Sequence, residues 1–230
     1  MLNNLNIFYK KKILIYGLGK SGLSALKFLT SSNEITTYDD KIKIKNNKII
    51  KQKFDYIIIS PGIDINKCTL SKFLKNNSKK IFTDLDIFYN LHKKNYKITI
   101  TGTNGKSTTA KILYEVLKDQ KVDVRLVGNI GNPVLLEEKI TNKTVFVIEA
   151  SSYQLEYSKL FKSNISIILN ISPDHLERHK TINKYVSAKF KLVKNQSKVD
   201  LAILNTKNFY IKEQIESKIF LPKIIKVEKE

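Results

Sequence analysis

A strand-like segment, Lys97-Ile-Thr-Ile-Thr101, runs directly into a glycine-rich turn, Gly102-Thr103-Asn104-Gly105, and then into Lys106-Ser107-Thr108. Behind the turn, Ile112, Leu113, Val116 and Leu117 recur at the three- and four-residue spacings of an amphipathic helix. Strand, tight turn and helix in that order commit this stretch to an α/β architecture and build a cradle for phosphate. Backbone N–H groups of the turn and of the helix N-terminus face an anion, Lys106 adds a point charge, and the Ser107 hydroxyl can ligate Mg²⁺. The usual phosphate loop has a glycine five residues before its second one. Here that position is Ile100 and the first glycine falls at Gly102, so the loop is shortened. The bland alternative is a β-turn with a solvated lysine, and the Lys-Ser pair at the helix start argues against it.

A chain of 230 residues suits two small domains, and a hydrophobic content of 42% supplies a real core. No apolar run approaches the roughly 20 residues needed to span a bilayer. The opening MLNNLNIFYKKK carries its charge after its apolar residues, the reverse of a secretory leader. The single cysteine, Cys68, excludes an internal disulfide framework and fits a reducing cytoplasm. The net charge of +20 invites a nucleic-acid reading. However, all but two of the 41 basic residues are lysine, the exceptions being Arg125 and Arg178, and they are scattered through every segment. Arginine is the preferred residue for bidentate phosphate and base contacts, so the charge reads as compositional bias and no nucleic-acid partner is expected.

The first part of the chain alternates strand and helix. Strands are expected at Lys12 to Tyr16, Glu34 to Tyr38, Asp55 to Ser60 and around Ile81, with helices from the GLGKSG run to Leu29 and from Ser71 to Asn76. The DYIIIS strand is nearly all apolar and so buried on both faces, as in a parallel sheet. A boundary near Asp84 divides residues 1–84 from 85–230, with the helix Leu85 to Leu91 bridging them. The second part continues with strands at Thr144 to Ile148, Ile165 to Leu169 and Leu201 to Leu204, and a helix from Ile182 to Val193. The tail beyond Asn205 has room for one more helix and a strand.

Several groups carry chemistry. Gly17-Leu18-Gly19-Lys20-Ser21-Gly22 fits G-x-G-x-x-G after a strand, which suits a dinucleotide, a nucleotide-sugar diphosphate, or plain tight packing. Ser21 offers a hydroxyl to phosphate, and Asp39 or Asp40 ends the second strand where a ribose hydroxyl would sit. Glu149 ends the TVFVI strand, positioned to hold Mg²⁺ in a nucleotide crevice or to cap the next helix. Asn170 to His179 follows another apolar strand on the same rim, and its Asp174, His175 and Glu177 suit metal or substrate, though a lone loop histidine is usually solvated. By residue chemistry alone nothing selects Lys189.

With these residues assembled, the chain resembles the Mur ligases. The matching runs are GLGKSG, SPGI (Ser60 to Ile63), TDLDIF (Thr83 to Phe88), ITGTNGKST, GNIGNP (Gly128 to Pro133), IEASSYQLE (Ile148 to Glu156), NISPDHLERH and YVSAKFKL (Tyr185 to Leu192). GTNGKS marks the wider superfamily, which includes folylpolyglutamate synthetases. GLGKSG with SPGI marks the branch that joins D-glutamate to UDP-N-acetylmuramoyl-L-alanine. The resemblance implies a Rossmann-like UDP-binding domain followed by a P-loop-type central ATPase domain, with the nucleotide substrate held by Leu18, Gly19, Lys20, Ser21, Asp39, Ser60, Pro61 and Gly62. It implies ATP on Gly102 to Thr108 with Lys106 on the β- and γ-phosphates. Two Mg²⁺ sites are implied, one on Ser107 and Glu149 and one on His175. Lys189 aligns with a lysine that family members carry as a carbamate, an anionic oxygen ligand. Asn129 and Ser151 match positions near the acyl end of the substrate. A cytoplasmic monomer with small-molecule partners and no membrane partner is expected. The family has a third domain that contributes D-glutamate contacts; this chain ends in or just after the second, as a truncated product, a fragment, or a chain completed by another. Three rival readings use only part of these motifs: an NAD-linked oxidoreductase, a nucleotide-dependent switch, and a basic nucleic-acid binder.

Overall fold

The computed structural model describes residues 6–42 and 46–228, and the chain forms two compact units. Residues 1–5 of the opening run read above for a leader lie outside the described residues. The first unit takes Met1–His92, Pro133–Leu136 and Tyr157–Leu160, and the second takes the rest.

In the first unit the order is β1 (Lys12–Tyr16), α1 (Lys20–Leu29), β2 (Glu34–Tyr38), α2 (Asn46–Ile50), β3 (Tyr56–Ile59), α3 (Ser71–Asn76), β4 (Ile81–Phe82) and α4 (Asp84–Leu91). The strands form one parallel sheet in the order β2-β1-β3-β4. The apolar runs explain the layout. Ile13, Leu14, Ile15 and Tyr16 are all inaccessible, as are Ile57 to Ile59, because both faces of the central strands are covered. β2, with its mixed EITTY sequence, lies at the edge and is mostly half-buried. The chain leaves β1 for β2 on one side and returns to β3 on the other. The carboxyl ends of β1 and β3 therefore frame the crevice where open α/β sheets take their ligands.

The sequence reads α4 as a bridge between units, but it belongs to the first unit, and one carboxylate shows why. Thr83 and Asp86 form a capping box at its start. Asp86 is fully buried; its Oδ2 accepts from the Thr83 N–H at 2.9 Å and hydroxyl at 3.1 Å. Its Oδ1 accepts from the Ser158 hydroxyl at 2.8 Å and from the N–H groups of Lys159 and Leu160 at 2.9 and 2.7 Å. Removing the acceptor would orphan buried donors on two segments at once. Asp86→Ala is expected to lower the unfolding free energy of the first unit by about 3 kcal/mol. Chemical denaturation followed by circular dichroism measures this, and a loss below about 1 kcal/mol would contradict the role.

The second unit contains β5 (Tyr96–Thr101), α5 (Lys106–Asp119), β6 (Val124–Gly128), β7 (Val145–Glu149), α6 (Ser152–Glu156), β8 (Ile165–Ile168), α7 (Leu176–His179), α8 (Ile182–Lys194), β9 (Leu201–Asn205), α9 (Phe209–Ser217) and β10 (Lys223–Val227). Among the described residues its six strands are parallel in the order β10-β9-β8-β5-β7-β6. β5 is central, so the turn after it opens between the ends of β7 and β8. α5 packs through Ala110 with Leu113 and Leu117, while Ile112 and Val116 stay exposed. The apolar stripe in the sequence is thus wider than the face that packs. No described helix is long and apolar enough to cross a membrane.

Candidate functional site

The turn between β5 and α5 is built by Gly105, whose φ of +81° lies in the left-handed region that favours glycine. That residue is the N-cap of a 14-residue helix, so the free N–H groups and positive dipole end of α5 point out of the loop. Ser107 and Thr108 are exposed on the first turn of α5. The rest of the loop is strapped to the segment after β8. Asn170 O accepts from the Thr103 N–H at 2.9 Å, and its side chain accepts from the Asn104 N–H at 2.9 Å while donating to Asn104 O at 3.1 Å. The Thr103 hydroxyl lies 3.1 Å from the Tyr185 hydroxyl and accepts from the Ser172 N–H at 3.0 Å. The two lysines of the expected site close on loop carbonyls: Lys106 Nζ donates to Thr103 O and Lys189 Nζ to Gly102 O, both at 2.7 Å.

Lys189, indistinguishable by residue chemistry from the other lysines, stands out in the fold. It is 1% exposed, with its ammonium 4.6 Å from the Tyr185 ring centroid. Burial pulls its pKa down to about 7; the nearby Lys106 charge pulls the same way, and Asp174 opposes. Much of the amine is therefore neutral near neutral pH.

Glu149 is fully buried at the end of β7. Asn129 Nδ2 donates to its Oε1 at 2.7 Å, and among the described residues its Oε2 has no partner. Capping of α6 falls to Ser151 instead, through a reciprocal box with Gln154: the Ser151 N–H donates to Gln154 Oε1 at 3.0 Å and the Gln154 N–H to Ser151 Oγ at 3.3 Å. The alternative of Glu149 as helix cap is thereby removed. On the neighbouring strand end, buried Thr101 Oγ1 also lacks a partner among the described residues. Two orphaned acceptor-bearing groups at one rim fit a cation or hydrated ligand that completes them. Among the described residues no three His, Cys, Asp or Glu converge as a self-contained metal cluster. A cation on Glu149 would therefore draw further oxygens from a hydroxyl such as Ser107 and from phosphate, which is the usual arrangement for Mg²⁺.

His175 adopts a left-handed backbone (φ +53°) and keeps its imidazole half-exposed, 3.4 Å from Asp174 Oδ2 and 3.7 Å from Glu177 Oε1. His179, one turn on, is buried and lies 3.0 Å from the Ser152 hydroxyl. Its pKa falls to about 4, chiefly through burial and next through the Arg178 charge beside it, so it is held neutral.

In the first unit, the turn after β1 meets the end of β3. A Cβ on Gly22 would sit 1.8 Å from Gly17 O, so only glycine lets α1 start this close to the turn. At Gly19 and Gly62 an added Cβ would meet none of the described residues within 4 Å, which is the open approach a ligand needs. Ser60 is buried and donates to Gly17 O at 2.6 Å, and Pro61 is half-buried beside it. Asp39 uses both oxygens on the backbone, accepting from Leu18 N–H at 2.7 Å and Lys41 N–H at 2.9 Å, and these bonds hold its pKa below the usual range. The Ser21 hydroxyl bonds the buried Asp84 carboxyl, whose pKa is raised chiefly by burial. Lys20 is exposed at the start of α1. Asp39, Ser60 and Ser21 thus shape the turn, while the Leu18 to Lys20 stretch and Gly62 face outward.

Sequence reasoning passed over Asn170 and Tyr185, which grip the phosphate loop, and Asp84. Asn170 directly follows an apolar strand and Tyr185 lies one helical turn before Lys189, so position relative to known elements was the available signal.

The Mur ligase middle-domain family matches residues 100–227. The chain is 36% identical over 224 residues to the UDP-N-acetylmuramoylalanine–D-glutamate ligase of Rickettsia bellii, covering 91% of this chain and 49% of that protein. It is 36% identical over 227 residues to the ligase of the same name in Lachnoclostridium phytofermentans, covering 89% and 50%. The chain therefore spans about half the length of the curated relatives it matches. Among solved structures, UDP-N-acetylmuramate:L-alanyl-gamma-D-glutamyl-meso-diaminopimelate ligase from Neisseria meningitides superposes with a TM-score of 0.59 at 16% identity, over 94% of this chain and 78% of that one. A murein peptide ligase from Psychrobacter arcticus gives 0.53 at 14%, over 94% and 53%. These likenesses concern the fold.

Proposed function

This chain belongs to the Mur ligase family, and from that premise we propose that it serves the ATP-dependent joining of D-glutamate to UDP-N-acetylmuramoyl-L-alanine, a cytoplasmic step of peptidoglycan precursor synthesis. The observation that carries the reading is the rim of the second unit. A phosphate-loop turn, two lysines, a buried carboxylate with an unpartnered oxygen and the His175 segment gather where a nucleoside triphosphate would dock. The first unit supplies an outward-facing glycine turn suited to the diphosphate of a uridine nucleotide.

In the proposed reaction the alanine carboxylate attacks the γ-phosphorus of ATP and ADP leaves. The amine of D-glutamate then attacks the acyl phosphate, loses a proton, and inorganic phosphate departs with the new amide. The chain's task is alignment and charge neutralisation. Lys106 leaves Thr103 O for the β- and γ-phosphate oxygens, and the α5 N–H groups hold the phosphates. Ser107 and Glu149 would hold one Mg²⁺, and His175 with a carbamylated Lys189 a second. These ions supply neutralisation of the phosphate charge. Asn129 fixes Glu149 and, with Ser151, faces the acyl end of the substrate. The chain acts as a monomer on small molecules. No residue here is assigned to D-glutamate.

The NAD reading is weakened by Asp39: the acid that a ribose diol would need already takes two backbone N–H groups. The test is incubation with ATP, D-[¹⁴C]glutamate and UDP-N-acetylmuramoyl-L-alanine. Labelled nucleotide product supports the ligase. Binding of both nucleotides without product makes the chain the nucleotide-binding portion of one. NADH binding in place of the UDP-sugar overturns the proposal.

A further inference from the structure

His179 is not among the residues assigned above, yet it occupies a closed ring of four aromatic side chains. Tyr153 packs on His175 at 4.9 Å and stacks on His179 at 5.6 Å, measured between centroids. Tyr185 completes the circuit, 5.3 Å from His179 and 6.3 Å from His175. His179 and Tyr185 are the buried members, and His175 is the open one. The members come from three elements: Tyr153 from α6, the histidines from the 175–179 segment, and Tyr185 from α8.

Each corner is fastened to something the nucleotide chemistry needs. The ring nitrogen Nε2 of His179 meets the Ser152 hydroxyl at 3.0 Å, which ties it to the helix that begins three residues after Glu149. Arg178, beside it, donates from Nε to Glu156 Oε2 at 2.9 Å and lies over the Tyr153 ring. Tyr185 reaches the Thr103 hydroxyl of the phosphate loop, and Lys189 one turn later holds Gly102 O. Tyr153 donates to Glu177 Oε1 at 3.0 Å, steadying the exposed side of the His175 segment.

A buried imidazole is an expensive choice for mere filling. A leucine or phenylalanine would bury as much apolar surface without desolvating two ring nitrogens. What the imidazole adds is a directional bond to Ser152 together with a flat face on which Tyr153 stacks, while Tyr185 packs tilted against it. We propose that His179 is a positioning residue that, through Ser152 and the paired rings of Tyr153 and Tyr185, sets both the His175 imidazole and the Thr103 side of the phosphate loop. The proposal builds on the nucleotide reading of this rim, but its geometric part stands without a bound nucleotide.

The test therefore has two arms. In the first, ¹⁵N–¹H amide spectra of the nucleotide-free chain are compared for wild type, His179→Leu and His179→Gln. The leucine variant should shift the Thr103, Asn104 and Gly105 amides. The glutamine variant, whose amide can reach Ser152, should bring them most of the way back. In the second, Mg-ATP affinity is measured by calorimetry in a double-mutant cycle with Tyr185→Phe. Each single substitution should weaken binding about tenfold, and the pair should be little worse than either one, because both cut the same path. Unmoved phosphate-loop amides in His179→Leu, or fully additive losses, would overturn the proposal. Should the leucine variant fail to fold, the glutamine variant and Ser152→Ala carry the same comparison. If the wild-type chain does not bind Mg-ATP while the amide shifts appear as expected, the positioning role stands and the nucleotide reading falls.

Discussion

Lys106→Ala is expected to weaken Mg-ATP binding by about 100-fold, some 2.7 kcal/mol, with little change in thermal stability. Lys106 is partly exposed, and its hydrogen bond is to Thr103 O within its own loop. Truncation therefore removes a charge rather than packing, and the stability change should stay within about 0.5 kcal/mol. The affinity change should be much larger, because the ammonium's alternative partner is a triphosphate carrying several negative charges in a partly desolvated turn. The remaining N–H donors of the loop and of α5 cannot replace a mobile charge. Calorimetric titration in Mg²⁺ measures the effect. Near-wild-type affinity in the variant would make Lys106 an ordinary surface lysine.

If the proposed ligase reading holds, Lys189→Ala and Lys189→Arg are both expected to lower acyl-phosphate formation by about 100-fold, in a full-length ligase if this chain is inactive alone, arginine being no rescue although it keeps the charge. The argument is one of charge sign. A protonated Lys189 beside Lys106 repels a metal ion, whereas a carbamate on the same nitrogen attracts one. Burial has already prepared the amine: with a pKa held near 7, its neutral form, the form that attacks CO₂, grows as pH rises through neutrality. Guanidinium stays protonated at any such pH and forms no such ligand. Trapping the acyl phosphate as a hydroxamate reads the activity, and added acetate should partly restore the alanine variant by filling the vacated ligand position. At fixed dissolved ¹³CO₂, the wild-type chain should show a carbamate carbonyl resonance that strengthens from pH 6 to pH 8 and is absent from the arginine variant. Full activity in Lys189→Arg would end the carbamate account.

Most of the fold was legible because parallel sheets write their central strands as unbroken apolar runs. KILIY and DYIIIS were read within a residue of β1 and β3. β6 was missed: Asp123 and Arg125 break its pattern, and its half-buried residues, Arg125 among them, do not advertise an edge strand. The phosphate loop was legible because its backbone geometry requires glycine at a fixed place. Glu149 was legible by position, but that one of its oxygens has no partner among the described residues is visible only in the packed structure. Lys189 and His179 were illegible to residue chemistry for a shared reason. Both become distinctive only through burial, and a lysine or histidine on a helix looks solvated until the neighbouring elements are in place. Asp39 and Ser60 run the other way. Their types suggest ligand contacts, whereas their oxygens serve the turn itself.

The central claim is that this chain carries the two nucleotide-binding units of a Mur ligase, and calorimetric titration of the intact chain tests it most directly. UDP-N-acetylmuramoyl-L-alanine and Mg-ATP should each bind once, the second only with the divalent cation present, and NADH should not bind. Saturable NADH binding with no response to the UDP-sugar, or ATP affinity indifferent to both Mg²⁺ and Lys106, would contradict the account.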